Sequence, residues 1–174
     1  VKLRNDKIGG RKTLFVQFTK KQDGKTDKET HEGMGEVHID LIDEFERLDF
    51  HVTLICEQVN LEEAEEVEEI VDNLMVRNHW KLNDHDTIIA SKITCTGLSM
   101  GGSGDYLGVT LIGRRELEEG KILNLITPFT TLKHENSSYM YRHELYSILM
   151  RIETEVLLYL EGKRAPEAQL ELGF

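Results

Sequence analysis

Apolar positions along this chain follow two periods, one near two and one near 3.6. Lys12–Lys20 alternates, with Leu14, Val16 and Phe18 on one face and Phe15 on the other, which predicts a strand. Glu36–Leu41 also alternates, and Phe50–Cys56 is rich in β-branched and apolar residues, so both read as strands. Between them, Ile42, Phe45 and Leu48 recur at three, which predicts a short helix capped by Asp40. The clearest block is Thr87–Leu132. It reads as three strands, Thr87–Gly97, Tyr106–Gly113 and Lys121–Thr127, separated by the glycine-rich Ser99–Asp105 and by Glu116–Gly120. Pro128 then bends or ends the third strand.

Longer helical periodicity runs through two stretches. Asn60-Leu-Glu-Glu63 is a capping box, and Ala64, Val67, Ile70, Val71, Leu74 and Met75 form one apolar stripe ending near Asn78. A second helix is expected from Ser137 or Ser138, with Leu145, Ile148, Leu149, Ile152, Val156, Tyr159 and Leu160 on its apolar face and Gly162 as its stop. Lys21–Glu32 holds no apolar residue and reads as a solvent loop.

Strands and helices do not alternate. The order therefore favours an α+β fold, a mainly antiparallel sheet of five to six strands with two long helices. A helix between the third and fourth strands is also the order of an OB-type barrel, so closure of that kind is a second expectation. The 174 residues divide into a basic flexible arm (1–11), a single α+β domain (12–162), and a linker and tail (163–174).

Charge refines this division. The net charge is −11, yet residues 1–28 hold nine Lys/Arg against three acids, so the remainder carries −17. A basic end on an acidic body can hold a polyanion locally; it equally fits a solvated polar terminus. No run of about 18 apolar residues is present, which argues against a membrane helix. Cys56 and Cys95 lie in apolar patterns without CxxC spacing and read as small buried hydrophobes. With no leader pattern at the start, the expected location is cytoplasmic.

The residue patterns of catalysis are missing. Seven histidines form no HxxxH, HxH or HExxH motif. Asp84-His85-Asp86 beside His79 is read as a solvated loop, because neighbouring side chains diverge too far to share one ion. Ser99–Gly104 lacks the Lys-Ser/Thr ending of a phosphate loop and precedes a strand. A non-enzymatic role without cofactor or metal is therefore expected. Nucleic-acid binding has a case, because bases stack on aromatic rings while basic groups follow the phosphates. The candidates are Lys12, Phe15, Lys20, Lys21, Tyr106, Arg114 and Arg115.

The last six residues, Gln169-Leu-Glu-Leu-Gly-Phe174, resemble the peptide by which bacterial replication and repair proteins dock on the sliding clamp. Gln169, Leu170, Leu172 and Phe174 match that pattern, with Gly173 as its optional spacer. The resemblance implies a Leu/Phe pair buried in a partner's groove, with Gln169 setting the register. The same end is similar to the acidic, Phe-terminated tails of bacterial and phage single-stranded DNA-binding proteins, through Glu167, Glu171 and Phe174, though it is less acidic. Leu170, Leu172 and Phe174 could equally fold back on the body. The expected function is a non-enzymatic accessory protein of DNA metabolism, of phage or mobile-element type. Its partners would be the sliding clamp or another replication protein and single-stranded DNA. The alternative is a structural or assembly protein acting by homo-oligomerisation through strand edges.

Overall fold

The computed structural model describes residues 1–5, 11–22, 25–59, 84–135 and 137–166. They form β1 (Lys2–Asn5), β2 (Lys12–Gln22), β3 (Lys25–Glu36), α1 (Ile39–Ile55), α2 (Asp84–Ser91), β4 (Ile93–Gly101), β5 (Gly108–Glu116), β6 (Ile122–Ile126), β7 (Thr130–Thr131) and α3 (Arg142–Glu161). The fold is α+β. Seven strands make one sheet in the order β3-β2-β1-β4-β5-β6, with β7 also on β5, and every pairing is antiparallel.

Two three-stranded meanders meet at their first strands. In the first, β1 pairs β2 over four residues and β2 pairs β3 over most of its length. The second is the β4-β5-β6 meander expected from the sequence. Between them, β1 and β4 share one register pair, Lys2 with Gly97. The end strands β3 and β6 do not pair, so among the described residues the sheet is open and does not close as an OB-type barrel.

Helix α1 covers this join. Leu41, Phe45, Leu48 and Val52 are buried along it, spaced as one helical stripe. The helix packs on β4 and β5 and against α3. It replaces the strands expected at Glu36–Leu41 and Phe50–Cys56 and extends the short helix expected between them: Glu36 ends β3, and Ile39–Ile55 is one 17-residue helix. The β-branched run at 52–55 reads as strand locally, but a stripe that continues from Leu41 through Val52 buries more as a helix. Its cap is His38, whose Nδ1 accepts from the Asp40 N–H at 3.2 Å, rather than Asp40 itself.

Three further expectations change. Residues 2–5 are a strand inside the sheet and not part of a loose arm; with Leu3 as their one apolar residue they show no periodicity. Most of the expected Lys21–Glu32 loop is paired strand at the sheet edge, exposed on both faces, so backbone hydrogen bonds hold it without an apolar signature. Thr87–Ser91 belongs to α2, and the strand begins at Ile93. The expected helix at 60–78 lies outside the described residues.

The final helix has the expected apolar face and stop at Gly162, whose φ of 118° is left-handed, but it begins at Arg142 rather than at Ser137 or Ser138. The following residues, expected as linker, dock on the body: Lys163 Nζ donates to Asp40 at 2.5 Å and Glu155 at 2.7 Å, and Ala165 N–H donates to Glu36 O at 3.2 Å. Pro128 separates β6 from β7, and Thr127 bridges the break by exchanging hydrogen bonds with the Leu111 backbone.

At Gly113, a Cβ would come within 2.8 Å of Val52 Cγ1 and 3.1 Å of Thr94 O, so α1 lies as close to β5 as glycine permits. Gly113→Ala is expected to destabilise the fold by about 1–3 kcal/mol through overpacking, read as a lower urea midpoint.

Candidate nucleic-acid interface

Alternation sorts the strand residues onto two faces. Leu14, Leu98, Leu111 and Leu125 point to the α1 side and are buried. The opposite face carries Lys2, Arg4, Phe15, Thr94, Arg114 and Asn124, tied together by the register Lys2–Phe15, Arg4–Thr13, Thr94–Arg114 and Arg114–Asn124. Among the described helices, α1 makes the main contact with the sheet, and it does so on the buried face. Lys2 lays its stem over Gly97, where a Cβ would meet Lys2 Cγ at 2.9 Å. The Arg4 guanidinium sits 4.5 Å from the centre of the Phe15 ring and also pairs with Glu32. A flat guanidinium on an aromatic ring is itself a stacking surface for a base. From Phe15 on β2 to the Arg114 strand is three strand spacings, about 14 Å.

Where β1 diverges from β4, a cleft of about 330 Å³ opens through the sheet. Lys12 and Arg114, the carboxylates Glu46 and Asp49, and Thr94 and Thr96 line it with polar groups, and Leu3, Ile42 and Phe45 with apolar ones. The backbone N–H of Cys95 donates to Asp49 Oδ1 at 2.6 Å, so a helix carboxylate takes the place of a strand carbonyl. Burial pushes the Cys95 thiol up to about 12, which makes it an inert core residue rather than a nucleophile.

The structure gathers some expected site residues and disperses others. Phe15 and Arg114 share the open face, and Lys12 and Arg114 both line the cleft. Arg115 turns to the other face and donates to Gln58 Oε1 at 3.1 Å. Tyr106 is exposed at the tip of the β4–β5 hairpin, its ring 5.1 Å from that of His134. Lys20 and Lys21 lie on outer β2, paired through their backbones with Asp27 and Thr26. Gln169, Leu170, Leu172 and Phe174 lie outside the described residues. Lys2 and Arg4 were missed as face residues, because four residues with one apolar position show no strand period.

A second polar cluster lies between α1 and α3. His51 is fully buried, with Nδ1 2.6 Å from the Tyr139 hydroxyl and Nε2 3.8 Å from Glu144 Oε1. Burial pulls His51 down to about 3 and pushes Glu144 up to about 7, against the opposing pull of Arg151 on Glu144. No group of three metal-ligating side chains occurs among the described residues, and no described helix is long and apolar enough to cross a membrane. No protein-family model matches the chain, and no curated protein or solved structure matches it.

These shifts set a pH dependence. For Glu144 the folded state holds the proton more tightly than an ordinary carboxyl at 4.5, so its contribution is full below 4.5 and is lost as pH rises through 7. For His51 the neutral ring is favoured, so its contribution is full above 6.5 and is lost as pH falls toward 3. Glu144→Gln stays neutral throughout. Its stability relative to the parent is expected to improve by roughly 1–3 kcal/mol between about pH 5 and about pH 8, measured by urea unfolding. Asp49→Ala leaves the Cys95 N–H unmet and is expected to cost about 1–3 kcal/mol in the same measurement.

Proposed function

We propose that the protein is a non-enzymatic accessory factor of DNA metabolism. It holds single-stranded nucleic acid on the open face of its sheet and recruits a replication partner through Gln169–Phe174. The carrying observation is the grouping of Lys2, Arg4, Phe15 and Arg114 on the face opposite α1. Cations there would follow phosphates while Phe15 and the Arg4 plane take a base. Lys2, Arg4 and Arg114 on one surface give a chain of charge −11 a local site for a polyanion, with Glu32 and Glu116 on the same face. The docked Lys163 and Arg164 give the tail a fixed point of departure beside the end of β3.

Titration of a fluorescent single-stranded oligonucleotide across a salt series tests the first half. Affinity should fall linearly with salt on logarithmic axes. Arg114→Ala should weaken binding about fivefold and reduce the salt slope by about one. Salt-independent binding, or an unchanged affinity for Arg114→Ala, would remove the sheet-face assignment. For the second half, immobilised bacterial sliding clamp should retain the full chain and fail to retain one ending at Pro166; equal recovery would end the clamp assignment.

A further inference from the structure

The two ends of the sheet are finished in opposite ways. Strand β3 presents Lys25, Asp27, Lys28, Glu29 and Glu32, the charged edge that discourages strand addition. Strand β6 is Ile122-Leu-Asn-Leu-Ile126, without a charge, and has no strand on its outer side among the described residues. Ile122 is 50%, Leu123 40% and Ile126 68% exposed, and Phe129 just beyond is 51% exposed.

The β6 sequence is a palindrome. Laid antiparallel against a second copy about Asn124, it puts Ile122 opposite Ile126, Leu123 opposite Leu125 and Asn124 opposite Asn124. A two-fold axis through the Asn124 pair makes the contact isologous, so the pairing closes as a dimer instead of growing into a fibre. Lys121 and Pro128 bracket the segment; Pro128 lacks an N–H and ends the ladder in this register.

We propose that β6 is a homodimer interface, pairing edge to edge with β6 of a second copy and joining two sheets into one. Asn124 then stands at the axis, and its amide, which both donates and accepts, can bond its symmetry mate. Arg114 is the register neighbour of Asn124 on β5. The dimer therefore sets two Arg114 side chains on one continuous face, three strand spacings or about 14 Å apart.

Light scattering of the full chain without nucleic acid tests this independently of the DNA-binding proposal. The expected mass is twice the 20.0 kDa of the chain. Ile126→Lys, at a position exposed in the monomer, should reduce it to the monomer mass while circular dichroism stays unchanged. Asn124→Cys in a Cys56→Ser background should give a disulfide-linked dimer on mild oxidation, since opposed residues of an antiparallel pair lie about 4.5–5.5 Å apart between Cα atoms. A monomeric parent, or a dimer whose mass Ile126→Lys leaves intact, overturns the interface. Failure of Asn124→Cys to cross-link overturns the register about Asn124.

Discussion

The carboxylate of Asp49 does for the sheet what a strand cannot. Two antiparallel meanders meet along a seam where β1 and β4 share one register pair, and beyond it the backbone of β4 has no strand to bond on the side away from β5. Left unmet in a buried position, such an N–H would cost about 1–3 kcal/mol. Asp49 reaches down from α1 and accepts from Cys95. The same helix presses Val52 against Gly113 and buries Phe45 and Leu48 against the sheet. The order of the sheet thus depends on a helix laid across its weakest line.

The seam also explains where the open features lie. A sheet paired fully along its length has no gap, whereas divergence of β1 from β4 leaves a cleft with Lys12 and Arg114 on its lining. The strand that makes the seam also carries Lys2 and Arg4 to the outer face. Structural economy and charge placement therefore arise from one short strand. Because α1 covers one face, the buried core of the sheet lies on that side, and the other carries Lys2, Arg4 and Arg114 among exposed apolar groups such as Ile126.

Two helices also share polar groups that are costly to bury. His51 meets Tyr139 inside the contact between α1 and α3, and Glu144 lies beside it. Arg151 and Glu44 bridge the same pair of helices at 2.9 Å, and Lys163 ties the end of α3 to the start of α1 through Asp40. The exposed pairs add little stability each. Together with the buried histidine they restrict how α3 can lie against α1, which in turn positions the chain that leaves toward the tail.

What local pattern alone determined was the β4-β5-β6 meander, the α3 stop at Gly162 and the α+β class. Each rests on short-range physics: alternation on a half-buried strand, glycine in a left-handed cap, and a long apolar helical stripe. The tertiary structure decided the rest. The segments 36–41 and 50–56 look extended by themselves, yet Ile39–Ile55 is one helix because the stripe through Leu41, Phe45, Leu48 and Val52 has a sheet to cover. β3 carries little apolar signal, because an edge exposed on both faces is held mainly by backbone hydrogen bonds. Arg114 and Arg115 are adjacent in the chain, yet the pleat sends one to the open face and the other to Gln58. Which basic residues share a surface is a matter of strand order and register, and neither is written in local sequence.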